Sequence, residues 1–189
     1  MKKLITLAFF ASILIGCSSS DDNSSSDSIV YDIELRTNES ENKFVDWYSF
    51  NEYDTGGLFW DLPTVTRYND KYRLEGILLE IRPNGLQTVL VANLKIELGS
   101  NLTNGQIINI NSYNPSEEFI PLQLDFGVGG GGYFFEETNS VGQIKITDNS
   151  NNKLSGEFTF NNLKKTSEDA PFTYNNKISG KFKNIPIVN

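Results

Sequence analysis

Residues 72–98 read YRLEGILLEIRPNGLQTVLVANLKIEL, and the first half of that stretch alternates with a period of two. Arg73, Glu75, Ile77, Leu79 and Ile81 fall on one face of an extended chain; Tyr72, Leu74, Gly76, Leu78, Glu80 and Arg82 fall on the other, because successive side chains of a strand point to opposite sides. Pro83-Asn84-Gly85 is a turn signal, since Asn-Gly accepts the positive φ of a tight connection. Thr88 to Leu98 then returns as a second strand, which makes the stretch a long hairpin.

The same period continues on both sides. Tyr31, Ile33 and Leu35 alternate with Asp32, Glu34 and Arg36; Ile120, Leu122, Leu124 and Phe126 alternate cleanly. Ile107, Ile108 and Ile110 follow Asn104-Gly105, and strands are expected at Tyr133–Glu137 and Val141–Thr147. Leu154, Gly156, Phe158 and Phe160 alternate with Ser155, Glu157 and Thr159; Phe172–Tyr174, Ile178–Phe182 and Ile185–Val188 close the chain. No segment carries helical periodicity, and turn signals recur at short intervals. The pattern predicts an all-β domain, a single antiparallel β-sandwich or barrel of about ten strands. Lys153-Leu154-Ser155-Gly156-Glu157-Phe158 is echoed 24 residues later by Lys177-Ile178-Ser179-Gly180-Lys181-Phe182. Two copies do not make a solenoid; the echo predicts adjacent strands in which glycine faces a large aromatic across the pair.

A different composition precedes the domain. Lys2 and Lys3 are followed by Leu4 to Ile15, 12 residues that are apolar apart from Thr6 and Ser12. That is the length of a signal-peptide apolar core, well short of the roughly 20 residues a spanning helix needs. Leu14-Ile15-Gly16-Cys17 fits a lipobox, and Cys17 is the chain's one cysteine. Residues 1–16 are therefore expected to be removed and the Cys17 thiol to take a diacylglycerol, with the freed amino group acylated as well. At about 0.8 kcal/mol per buried methylene, two or three acyl chains anchor a protein durably. Ser18 to Ser28 has no apolar residue, so residues 17–28 read as the lipidated cysteine and a flexible tether spanning on the order of 20 Å. Residues 29–189 form the expected single β-rich domain, a length that suits one core.

Composition narrows the chemistry. The 16 basic side chains less Lys2 and Lys3 leave 14 against 24 acidic ones, a net charge of −10 after processing, which disfavours nucleic acid and anionic headgroups. With Cys17 acylated no disulfide forms. There is no histidine, which removes the usual general base, the commonest zinc and copper ligand, and every Ser-His or Cys-His nucleophile pair. No cofactor or metal is expected, and no catalytic set is seen.

The lipobox with its Ser/Asp tail, together with Gly142-Gln143-Ile144-Lys145-Ile146-Thr147-Asp148, Leu154-Ser155-Gly156-Glu157-Phe158-Thr159-Phe160 and Ile178-Ser179-Gly180-Lys181-Phe182, resembles small β-rich lipoproteins of flavobacteria and related Bacteroidota. The C-terminal part of the resemblance covers about a quarter of the chain. It implies a cell-envelope lipoprotein, on the outer membrane, and lends no catalytic residues. Ser18-Ser19-Ser20-Asp21-Asp22 is similar to the acidic surface-export signal of such proteins, and Asp27-Ser28-Ile29 to their O-glycosylation site.

Candidate sites are few. Phe44, Trp47, Tyr48, Phe50, Tyr53, Phe59, Trp60, Tyr68 and Tyr72 lie within 29 residues, interleaved with Asp46, Glu52, Asp54 and Asp61. Exposed rings stack on sugar C–H faces while carboxylates bind hydroxyls, so Trp47, Tyr48, Tyr53 and Trp60 are the candidate ligand-binding residues; the same rings also suit a small β-core. Gly127-Val128-Gly129-Gly130-Gly131-Gly132 lacks the Gly-Lys-Ser/Thr ending of a phosphate loop and reads as a flexible hairpin connection. Asp148-Asn149-Ser150-Asn151-Asn152-Lys153 spaces oxygens as calcium loops do but lacks the glycine and glutamate of one, so it reads as a plain turn. Glu117-Glu118 and Glu136-Glu137 read as surface charge, because adjacent strand residues diverge while a glycosidase pair must converge. The expectation is an envelope-anchored, non-catalytic β-domain that binds a glycan or a protein partner. The other readings are a structural subunit joined through a strand edge, a barrel for a small apolar ligand, and a carboxylate hydrolase.

Overall fold

The computed structural model describes residues 32–39, 43–49, 63–68, 70–81, 87–111, 121–127, 131–136, 139–167 and 173–189. Regular structure among them is entirely β: β1 (Ile33–Glu39), β2 (Lys43–Ser49), β3 (Thr64–Tyr68), β4 (Lys71–Ile81), β5 (Gln87–Gly99), β6 (Ile107–Ile110), β7 (Leu122–Phe126), β8 (Gly131–Phe134), β9 (Val141–Ser150), β10 (Lys153–Ser167) and β11 (Thr173–Val188). The all-β expectation holds, with eleven strands in one sheet. The opening hairpin is β4–β5, registered from Tyr72↔Gly99 to Ile81↔Gln87.

Eight strands follow one another in chain order, each antiparallel to the next: β1, β2, β4, β5, β7, β8, β10 and β11. The last pairs back onto the first, so they close a ring. Three strands lie outside it. β9 lines the first part of β10, and β6 lines β9. β3 is antiparallel to β4 and makes a short parallel pairing with β11 at Ile187 and Val188, the one departure from antiparallel order among the described ladders.

Long strands change neighbours at asparagines. One edge of β10 serves β9 up to Asn161, then β8 from Lys164. Between them sits Asn162 with φ of 56°, a left-handed conformation that asparagine tolerates better than most residues. The Ser140 hydroxyl donates to the Asn162 carbonyl at 3.0 Å and holds the bend. β11 leaves β1 after Phe182 and meets β3 at Ile187; Asn184, φ 55°, lies between, and its N–H donates to Ser155 Oγ at 3.0 Å. The three C-terminal segments expected from sequence are thus one bent strand.

The alternation that predicted the strands also fills the core. Leu74, Leu78, Leu94, Ile96, Leu98, Leu122, Leu124, Ile144, Ile146, Phe160 and Ile178 expose 1% or less of their surface, and burying each such side chain is worth about 1.5–3 kcal/mol. The two halves of the ring meet through this core: a side chain at Gly76 on β4 would touch Ile33 of β1, and the Tyr133 hydroxyl of β8 donates to the Asn38 carbonyl of β1 at 2.9 Å. The sequence echo resolves as expected. Gly156 pairs with Phe182 and Phe158 with Gly180 in the β10–β11 ladder, and the two rings stack at 6.5 Å with 22° between planes.

Buried polar groups are matched. The Ile33 N–H donates to the buried Ser49 Oγ at 2.7 Å. Asn176, 6% exposed, donates from Nδ2 to the Leu163 and Thr173 carbonyls, both at 3.0 Å. Asn176→Asp places oxygens against those carbonyls and is expected to cost about 3 kcal/mol, against about 1–2 for Asn176→Ala. Urea denaturation checks this, and equal losses for the two variants would refute the assignment.

Candidate functional site

The outer face of β6-β9-β10-β11-β1-β2 is built by the residues that alternate with the core. Register aligns Asn109, Gln143, Thr159, Ser179, Arg36 and Asp46 into one row, one residue per strand. Two positions along, Lys145, Glu157, Lys181 and Glu34 form a second row of alternating charge. A strand rises about 3.3–3.4 Å per residue, so the rows run side by side roughly 7 Å apart.

Both rows neutralise themselves. Arg36 Nε meets Asp46 Oδ1 at 2.8 Å, and Lys181 Nζ meets Glu34 Oε2 at 3.0 Å. Gln143 Nε2 donates to Asn109 Oδ1 at 3.0 Å. Between the rows lies an open depression of about 400 Å³, walled by Glu34, Arg36, Asp46, Glu157, Thr159 and Lys181, with the buried Leu35 and Phe158 beneath. Arg36 and Lys181 stand against Glu34, Asp46 and Glu157, a local charge of −1. Such a surface offers donors and acceptors side by side.

Beside this face, Asp32 is half-buried at the start of β1, and burial pushes its carboxyl above the ordinary value more than Lys153 pulls it down. The protonated form is therefore favoured more in the folded state than in the unfolded chain. Its stabilising effect is complete below the ordinary carboxyl range and is lost as pH rises through the raised value. Asp32→Asn is expected to raise the melting temperature at pH 7 and to leave it unchanged near pH 3. An increment that is equal at both pH values would refute this.

The sequence-predicted residues are placed in part. Trp47 and Tyr48 lie on β2, in register with Leu35 and Glu34; their side chains, and Cys17, Tyr53 and Trp60 altogether, lie outside the described residues. Of the other rings in that segment, Tyr72 packs against the core, and Tyr68, 46% exposed, lies beneath Arg73 at 5.8 Å. Asp148 to Lys153 is a plain hairpin: Ser150 pairs with Lys153 across Asn151 and Asn152, which take φ of 52° and 58°. Its side chains are committed to hydrogen bonds: Ser150 Oγ donates to Asp148 Oδ2 at 2.8 Å, Asn152 Nδ2 to the Ile187 carbonyl and Asn149 Nδ2 to the Leu102 carbonyl. Gly131 and Gly132, expected in a connection, belong to β8 instead and pair with Ser167 and Thr166. The reason is packing: a side chain at Gly132 would run into the Leu124 backbone. Among the described residues no cluster of metal-ligating side chains occurs, and no helix is long and apolar enough to cross a membrane.

The polar rows were not legible as a site in sequence, because alternating Glu, Lys, Thr and Ser are what any solvated strand face carries. The one sequence signal was the Ser-Gly-x-Phe echo, which sets Glu157 against Lys181. No protein-family model, curated protein or solved structure matches the chain.

Proposed function

We propose that this is an outer-membrane lipoprotein, anchored through acyl chains on Cys17, whose β-domain binds a glycan without catalysis. The observation that carries the binding reading is the open depression between the ion pairs Arg36–Asp46 and Glu34–Lys181. Vicinal hydroxyls of a sugar take a donor and an acceptor together, and paired ions on a flat face present both. The tether after Cys17 lets the face reach away from the lipid surface. Absence of histidine and commitment of Glu34 and Asp46 to cations favour binding over turnover. Most core side chains among the described residues have no accessible surface, and none exceeds 8%, which weighs against a small apolar ligand inside the ring.

The test is a thermal-shift screen of the detergent-solubilised protein against oligosaccharides. Ligand at 100 times its Kd stabilises by about 2.7 kcal/mol, a shift of several degrees for a domain this size. Arg36→Ala with Asp46→Ala is expected to abolish the shift at nearly unchanged stability, since an exposed ion pair contributes about 0–1 kcal/mol. Cys17→Ala is expected to end palmitate labelling and move the protein to the soluble fraction; continued labelling would overturn the anchor.

A protein partner is the second reading, favoured by β6. Among the described strands it pairs with β9 alone, and Ile107 is 54% exposed. Such an edge accepts an added strand, and a stoichiometric partner retained through mild detergent would support it.

A further inference from the structure

Resting on the glycan reading, we propose that the ligand is a neutral, linear polysaccharide lying across the strands along the row from Asp46 to Asn109, with several sugar units bound at once. The row extends well beyond the depression. Its six residues stand on six successive strands, and at roughly 4.8 Å between strands it spans about 24 Å. A pyranose unit in an extended chain advances by about the same distance as one strand spacing, so each unit meets a new polar side chain.

Depth argues for a polymer. Sites for small ligands enclose most of their surface, whereas this depression is open and covers one side only. A single sugar there makes few contacts, so affinity has to accumulate along the chain. Past Ser179 and Thr159, the row continues through Gln143 and Asn109, both exposed and joined at 3.0 Å. Neither residue borders the depression, and each keeps amide groups free to bond a hydroxyl. Charge sets the class of sugar. The row's one ion pair, Arg36–Asp46, is closed on itself, and the neighbouring row alternates in sign. With a local charge of −1 around the depression and −8 on the whole chain, a polyanionic glycan gains nothing and is repelled at long range.

The experiment is isothermal titration of the detergent-solubilised full chain with gluco-, manno- and xylo-oligosaccharides of increasing length, and with galacturonate oligomers as anionic counterparts. For at least one neutral series the Kd is expected to fall at least tenfold from disaccharide to hexasaccharide, as two added hydrogen bonds of about 1 kcal/mol each would give. Gln143→Ala with Asn109→Ala is expected to remove that gain and leave disaccharide binding unchanged. Binding that does not strengthen with length, or a double variant that leaves the length dependence intact, would overturn the extended row while keeping the depression as a site. Equal or tighter binding of galacturonate oligomers would overturn the neutral class. No binding by any series would overturn this proposal and the glycan reading together.

Discussion

Replacing Gly180 with valine is expected to abolish recovery of soluble, folded protein. Gly180 is flanked in register by Leu35 of β1 and Phe158 of β10. A Cβ there would stand 2.7 Å from the Phe158 ring and 2.8 Å from Leu35 Cβ, and closer still to the Glu34 carbonyl oxygen. Rings can rotate aside, but the Glu34 carbonyl belongs to a strand paired on both edges, so the main chain itself would have to shift. Overpacking that only side chains must absorb costs about 1–3 kcal/mol. Displacing a central strand costs more, against a total stability of about 5–15 kcal/mol. Gly142→Ala is the control. Its Cβ would meet Phe160 Cε1 at 2.5 Å and Ile110 Cβ at 3.5 Å, with no main chain nearer than these, so Phe160→Leu should rescue it. Phe158→Leu should not rescue Gly180→Ala, because the carbonyl remains. Soluble Gly180→Val with a melting temperature near that of the parent would refute the argument.

That glycine also shows what the sequence carries about the fold. The Ser-Gly-x-Phe echo predicted adjacent strands with glycine opposite an aromatic, and the β10–β11 register has that pairing in both directions. Period-two alternation located β1, β4, β5, β7, β9 and β10 because one face of each is buried. It failed where strands bend. Asn175 and Asn184 resemble turn residues locally, yet they take positive φ inside β11 because pairing with β10 resumes beyond each of them. It failed again at β2 and β3, where aromatic density in Lys43–Tyr72 drew the reading toward ligand chemistry rather than strands.

The candidate site was less legible, for a physical reason. Arg36, Asp46, Thr159 and Ser179 are separated by up to 143 residues in sequence, and only pairing of β2 with β1, β1 with β11 and β11 with β10 sets them in one row. Register is the quantity that makes the row. A one-residue slip would exchange it for the core face, so the site inherits its precision from the buried residues behind it.

The same coupling underlies the second large effect, expected for Phe160→Ala. Phe160 has no exposed surface; it meets Phe135 edge-on at 6.1 Å and 87°, approaches Phe158 at 6.2 Å, and covers Gly142 on β9. Its truncation leaves a void that glycine cannot fill from across the ladder, so both lost transfer energy and an unrelaxed cavity count against the variant. The expected loss is about 3–5 kcal/mol, or on the order of 10 °C in melting temperature for a domain this size. Because Thr159 and Gln143 flank this position on the outer face, loosening the β9–β10 contact should also weaken hexasaccharide binding while disaccharide binding at the depression persists. Phe160→Leu, which keeps most of the volume, should retain both stability and length dependence. A stable Phe160→Ala protein with parent-like binding of long oligosaccharides would refute the dependence of the outer row on the core behind it.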